Sequence, residues 1–223
     1  MSIPKLILIF DTETTGLIPK SNDLSNPFIT QLSFIVYDTQ LKQIRTTFDS
    51  YIQLPKGIEV PQIVTELTGI TNEKCEQGIP IQQALSIFYH TMILCDCIIA
   101  HNIDFDIRMI IIEVERNIES LKMYPNIENI FAYNRLHPLN IKLDCTMRMS
   151  TEACSLYRTN ERNRTYKKFP KLAETYFHLF QKVPENLHNS MVDALVCLRC
   201  YLKMKYNMDI QDEHFDLLIT SAL

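Results

Sequence analysis

Residues 6–17 read LILIFDTETTGL. Five apolar residues, Leu6 to Phe10, run directly into two acids, Asp11 and Glu13, and then into a loop carrying Thr14, Thr15 and Gly16. A short unbroken apolar run closed by a turn signal reads as a buried strand. Side chains alternate faces along a strand, so Asp11 and Glu13 point the same way. Two carboxylates held together at the end of a buried strand repel each other and resist desolvation. A divalent cation is the simplest compensation. Asp-x-Glu alone is common enough to mark only a strand reaching solvent, so the remaining residues decide its meaning.

The chain of 223 residues suits one domain, or one domain with insertions. Its 46% apolar and 22% charged residues are ordinary for a soluble globular protein. The net charge of −4 excludes a global basic field, though not a local basic patch. Seven scattered cysteines lack a framework spacing, which favours reduced thiols and an intracellular setting, cytoplasmic or nuclear. The first apolar run is too short for a signal peptide, and no stretch approaches the roughly 20 apolar residues of a membrane span.

Outward from the opening strand, 18–26 reads as a loop. Strand character returns over 29–37 and 46–54, joined by a hairpin through Asp38 and Thr39. Short helices are expected over 61–67 and from Thr71, and a longer one over 81–92, where Ile81, Ala84, Leu85, Phe88 and Met92 keep helical spacing. Cys97 to Ala100 reads as a fourth buried strand and runs into His101-Asn102-Ile103-Asp104-Phe105-Asp106 and an apolar helix. Residues 117–141 read as a partly ordered insertion and 142–146 as a fifth strand. Helices follow over 147–156, 172–180 and 191–206, with a polar, basic loop over 158–168. The expected organisation is one α/β domain over 1–206 with a mixed five-stranded sheet, and a tail over 207–223 that packs on the body or docks a partner.

Four acids stand where such a fold converges. Asp11 and Glu13 end the first strand, Asp106 follows the fourth, and Asp193 lies in the last long helix, five residues after His188. Groups at the carboxyl ends of neighbouring strands meet at one edge of an open sheet. Hard carboxylate oxygens suit Mg²⁺ or Mn²⁺. Two such ions, about 3.5–4 Å apart, can clamp the attacking and leaving oxygens of a phosphodiester. An imidazole titrating near neutrality, His188, suits the removal of a proton from the attacking water.

The stretches FDTETTGL (10–17), HNIDFD (101–106) and HNSMVDA (188–194), supported in order by LTGIT (67–71), LDCTMRM (143–149) and KLAETYF (171–177), resemble the DEDDh, or DnaQ-like, 3′–5′ exonucleases over nearly the whole chain. The resemblance implies a ribonuclease-H-like sheet of strand order 3-2-1-4-5 flanked by helices. It implies two Mg²⁺ or Mn²⁺ ions held by Asp11, Glu13, Asp106 and Asp193, with His188 as general base. Asn189 stands where the tyrosine-bearing relatives place Tyr, so the histidine class is favoured, and Asp104 is read as a decoy acid that either faces solvent or stands behind the ligands. The implied activity is removal of nucleoside 5′-monophosphates from single-stranded or frayed 3′ ends, on DNA in proofreading or repair, with any polymerase acting in trans. RNA 3′-end trimming and a non-catalytic nucleic-acid or polymerase-binding module are the alternatives.

The resemblance also implies that the Thr14–Gly16 loop and Leu17 touch the terminal nucleotide, with Thr68 and Ile70 as the opposite wall. Gly69 alone also reads as a helix stop. His101 and Asn102 either help orient Asp106 or the substrate, or cap the following helix. Arg162, Arg164, Lys167 and Lys168 belong to a basic run that either tracks a phosphate backbone or is a solvated loop. Cys197-x-x-Cys200 and Cys95-x-Cys97 are read as buried thiols rather than a zinc site.

Overall fold

The computed structural model describes residues 4–20, 25–124, 126–132 and 136–222. The apolar run at 6–10 sits at the centre of the sheet, because both of its faces are covered. β1 (Leu6–Thr14) pairs antiparallel with β2 (Ile29–Asp38), and β2 pairs antiparallel with β3 (Gln43–Tyr51). On its other side β1 runs parallel to β4 (Cys97–Ala100), which pairs parallel with β5 (Lys142–Cys145). The order β3-β2-β1-β4-β5 is the mixed ribonuclease-H-like sheet expected.

Alternation along β1 divides the core in two. Leu8 and Phe10 face α3 (Ile81–Met92) and α4 (Ile103–Arg116), with the Phe10 and Phe88 rings 5.0 Å apart. Ile7 and Ile9 face α8 (Ser190–Tyr206). The shorter helices are α1 (Gln62–Thr68), α2 (Asn72–Glu76), α5 (Ile118–Leu121), α6 (Thr146–Cys154), α7 (Leu172–Phe180) and α9 (Asp212–Ser221). No helix among the described residues is long and apolar enough to cross a membrane.

Three regions differ from the sequence reading. β3 begins three residues earlier than expected and ends at Tyr51. Asp38 Oδ1 accepts from the amides of Gln40 and Leu41, which tightens the hairpin, and Lys42 turns the chain at φ +52°. Ile52 instead bridges Ile79, an approach that requires Gly78, where a Cβ would lie 2.3 Å from the Tyr51 carbonyl oxygen. The described part of 117–141 is packed rather than loose: Leu121, Ile127, Ile130, Leu136 and Ile141 are buried in the Phe10 core. The basic loop is a hairpin, β6 (Tyr157–Thr159) with β7 (Thr165–Lys167).

The tail packs on the body. Phe215 of α9 stacks on Tyr176 of α7 at 6.0 Å. All seven cysteines are free thiols and six are buried.

Candidate active site

Asp11 and Glu13 share the β1 face of Ile7 and Ile9, so they point toward α8. The start of that helix is pinned against β2: Ser33 Oγ and Ser190 Oγ lie 2.5 Å apart, and the Ser190 amide donates to Gln31 Oε1 at 3.3 Å. Asn189 caps it, its Oδ1 accepting from the amides of Met191 and Val192. These contacts fix Asp193 in the first helical turn beside β1. His188 precedes the cap at φ +70°, and its amide approaches Asp193 Oδ2 at 3.4 Å.

Asp106 arrives from the opposite side of β1. Asn102 adopts φ +70° and turns the chain from β4 into α4, which places Asp106 in the first turn, buried. Asp106 Oδ1 accepts from both the amide (3.1 Å) and the hydroxyl (2.8 Å) of Thr12, the residue between Asp11 and Glu13. One strand segment therefore organises three acids.

The electrostatics are those of a cation site. Burial, then the charges of Asp106, Asp193 and Glu13, hold the Asp11 carboxyl well above its ordinary value. Burial, then the charges of Asp193 and Asp106, lift Glu13 to about 8. Burial lifts Asp106 to about 7 against the Thr12 hydrogen bonds, and Asp193 to about 7 against the His188 amide. Among the described residues no Lys or Arg forms an ion pair with any of the four. Asp193 Oδ1 is buried and without a hydrogen-bond partner. One ligand atom each from Glu13, His188 and Asp193 lie within 4.8 Å of one another. Mutually repelling hard oxygens, one of them orphaned, fit a divalent cation. His188 is exposed; desolvation and the charge of Lys171 hold its imidazole below the ordinary value, hence neutral at pH 7.

The other expected residues divide by exposure. Leu17 is 84% exposed, four residues after Glu13. Thr14 is buried and donates to the Gly16 carbonyl at 2.7 Å, shaping the loop from within. Thr68 donates to the Val64 carbonyl and accepts from the Ile70 amide, while Gly69 at φ +70° ends α1. Ile70 is 1% exposed and packs with Val60 and Cys75, so its side chain is core rather than pocket wall.

His101 is a strut. Its Nε2–H donates to the Pro170 carbonyl at 3.1 Å, leaving Nδ1 to accept from the Thr146 hydroxyl at 2.9 Å. Burial pushes it down to about 4, so it stays neutral. Asn102 occupies the cap position without a side-chain cap bond, and Asp104 is exposed and paired with Arg148. Lys167 and Lys168 are held by Glu152 and Glu174, each at 2.5 Å, whereas Arg162 and Arg164 are exposed. Thr12, Gln31, Ser33 and Ser190 went unread in the sequence. Thr12 alone carried a signal, its place between two acids on the opposite strand face.

An exonuclease family model, RNase_T, matches residues 8–201. The PolC-type DNA polymerase III of Streptococcus sanguinis (strain SK36) is 29% identical over 133 residues, 59% of this chain and 8% of the polymerase. The 3′-5′ exonuclease DinG of Bacillus subtilis (strain 168) is 32% identical over 111 residues, 49% of this chain and 11% of that protein. The chain thus matches only about a tenth of either relative's length. The solved nuclease domain of 3′hExo, a DEDDh family member bound to rAMP, shares the fold with a TM-score of 0.60 at 16% identity, over 95% of this chain and 98% of that one. The matched span holds the five-stranded sheet from Leu8 onward and the Asp11, Glu13, Asp106, His188 and Asp193 cluster, and the chain belongs to the DEDDh-type exonucleases of ribonuclease-H-like fold.

Proposed function

We propose that this chain is a metal-dependent 3′–5′ exonuclease that removes nucleoside 5′-monophosphates one at a time from DNA 3′ ends. The observation that carries the reading is the convergence of four uncompensated carboxylates, with Asp193 Oδ1 buried and unpartnered, beside a neutral exposed imidazole. Asp11, Glu13, Asp106 and Asp193 are the ligands for two Mg²⁺ or Mn²⁺ ions. When bound, such ions supply Lewis acidity that lowers the pKa of a water and offsets charge on the phosphodiester.

The protein's own groups do the rest. His188 accepts the proton of the attacking water, a role its depressed pKa permits at neutral pH. The water oxygen bonds to phosphorus, and the bond from phosphorus to the 3′-oxygen breaks. The 3′-oxygen takes a proton from solvent to become the hydroxyl of the shortened strand, and the His188 imidazolium returns its proton to solvent. Leu17 packs on the terminal base, and the Thr14–Gly16 turn, braced from inside, holds the backbone close to it. Matches to PolC-type polymerases, DNA enzymes by name, favour DNA over RNA and a proofreading or repair role. In that role a polymerase supplies the substrate.

The test is digestion of 5′-labelled single-stranded DNA, mismatched duplex DNA and single-stranded RNA in Mg²⁺ and in Mn²⁺. The expected result is a ladder shortening from the 3′ end with release of deoxynucleoside 5′-monophosphate, abolished by EDTA and by Asp11→Ala. No hydrolysis with either metal, or full activity of Asp11→Ala, overturns the reading. RNA degraded more than tenfold faster than DNA replaces it with 3′-end trimming.

A further inference from the structure

The β6–β7 hairpin is a small, well-specified element that the catalytic reading leaves without a task. Asn160 builds its tip: Oδ1 accepts from the amides of Arg162 and Arg164, its own amide donates to the Arg164 carbonyl, and Asn163 turns the chain at φ +54°. The two strands pair Tyr157 with Lys167, Arg158 with Tyr166 and Thr159 with Thr165. Alternation then gives the ribbon two different faces. On one, Lys167 lies 5.9 Å from the Tyr157 ring and pairs with Glu152 of α6, which ties that face to the body. On the other stand Arg158, Tyr166 and Arg164, all exposed. Among the described residues neither arginine has an acidic partner.

Two unpaired guanidinium groups flanking an exposed phenol ring, in a chain of net charge −4, are charge-complementary to a nucleic-acid strand. The hairpin also stands near the acids. Its second strand leads through Lys168 and Phe169 to Pro170, whose carbonyl accepts from His101 at 3.1 Å, and to Lys171, whose charge is felt by His188. Pro170 lies four positions beyond Tyr166, at most about 14 Å of chain. At roughly 3.4 Å per nucleotide, that is a reach of about four nucleotides.

We propose that the outer face of this hairpin is a second nucleic-acid contact, in which Arg158 and Arg164 grip phosphates and Tyr166 stacks on a base of the substrate strand a few nucleotides upstream of its 3′ end. The inference rests on the reading of the acidic site as one that takes a nucleic-acid 3′ end. Phosphate pairing and stacking ignore the sugar, so the contact serves DNA and RNA strands alike. A tip already ordered by Asn160 limits the entropy lost on binding. The grip falls on residues other than the lysines of the basic run, because Lys167 and Lys168 are already paired.

The test is fluorescence anisotropy with 20-nucleotide single-stranded DNA and RNA in EDTA, where binding is read without turnover. Removing two phosphate contacts in Arg158→Ala/Arg164→Ala should weaken binding at least tenfold at low salt. It should also flatten the slope of log K against log salt by about 1.4, at roughly 0.7 per contact on a single strand. Tyr166→Ala should weaken binding at least fivefold with the slope unchanged, and Tyr166→Phe should restore it. These positions are exposed, so the variants keep the fold. If wild type binds both oligonucleotides and the double variant matches it in affinity and slope, the hairpin assignment falls alone. If wild type binds neither at 50 mM salt, the hairpin contact falls, while the acidic site is decided separately by the digestion in Mg²⁺ and Mn²⁺.

Discussion

At the scale of single residues, the site trades stability for chemistry, and the trade has a sign. Glu13 is held at about 8, Asp106 and Asp193 at about 7, and Asp11 well above its usual range, with burial the largest cause throughout. In the unfolded chain these carboxyls have lost their protons by about pH 5. Between about pH 5 and 8 the folded, metal-free protein therefore binds more protons than the unfolded chain, and its stability falls as pH rises. Melting in EDTA should thus give a Tm several degrees lower at pH 8.5 than at pH 5.5, with millimolar Mg²⁺ or Mn²⁺ recovering the loss at pH 8.5. A Tm in EDTA that climbs through this window contradicts the shared-cation account of the four acids. His188 is separable from them. It sits at φ +70°, a conformation Asn tolerates, so His188→Asn removes the base without disturbing the turn. We expect kcat to fall about 10²–10⁴-fold with KM little changed. Steady-state kinetics on single-stranded DNA checks this, and a wild-type kcat would exclude His188 as the base.

At the scale of elements, the lip that carries Leu17 is held from a distance by α4. Thr15 and Phe28 exchange bonds, the Thr15 amide to the Phe28 carbonyl at 2.8 Å and the Phe28 amide to Thr15 Oγ1 at 2.9 Å. Phe28 lies under the Arg116 guanidinium at 3.7 Å, and Arg116 also donates to the Asn26 and Pro27 carbonyls. Arg116 in turn pairs at 2.6 Å with the buried Glu113, which accepts from the Ile29 amide. Arg116→Ala leaves the Glu113 carboxylate buried without its cation. Allowing for the partial exposure of Arg116, that costs about 2–3 kcal/mol. Because the freed segment braces the lip and not the acids, KM on DNA should rise about three- to tenfold while kcat falls less than threefold. A kcat loss larger than the KM change would place the latch in the chemistry instead. None of this latch was legible in the sequence, since Glu113 and Arg116 look like an ordinary helical charge pair and Phe28 falls between the loop over 18–26 and the strand from residue 29. What was legible followed periodicity and pattern. Helices 81–92 and 172–180, strand 97–100 and the five acid and imidazole positions were read there, whereas the sheet order came from the resemblance to the exonuclease family. The β3 register was missed because Asp38 and Lys42 set the turn, not the apolar content of 46–54. The hairpin at 157–167 was missed because its strands are three residues each and face water, leaving no apolar alternation to read.

At the scale of the molecule, the question is whether the last 17 residues belong to the fold that holds the site. Arg199, on the same helix as Asp193, answers it. Its guanidinium is 2% exposed and caged by Phe180 at 4.4 Å, Phe215 at 4.7 Å and Tyr176 at 5.6 Å. It donates to Tyr176 Oη at 2.7 Å, to Asp209 Oδ1 at 2.9 Å and to Asp212 Oδ1 at 2.7 Å. Phe215, Asp209 and Asp212 all come from the tail, so a cation on the helix that bears Asp193 is desolvated largely by residues beyond its end. A buried guanidinium without those partners is unfavourable, which makes the tail's docking and the helix's burial one event. Arg199→Ala removes the cation, the ring contacts and the anchor of α9 together. Since Asp209 and Asp212 are partly exposed and rehydrate, the loss is about 3 kcal/mol, or roughly 6–12 °C in Tm for a chain of this length. Truncation after Asn207 should cost at least as much, because it leaves Arg199 buried beside apolar rings with its acids gone. Differential scanning calorimetry on both variants gives the answer. If truncation leaves the main transition within 2 °C of the full chain, the tail is an appendage and the Arg199 cage a surface detail; if the two losses agree, the helix that bears Asp193 and the tail melt as one unit.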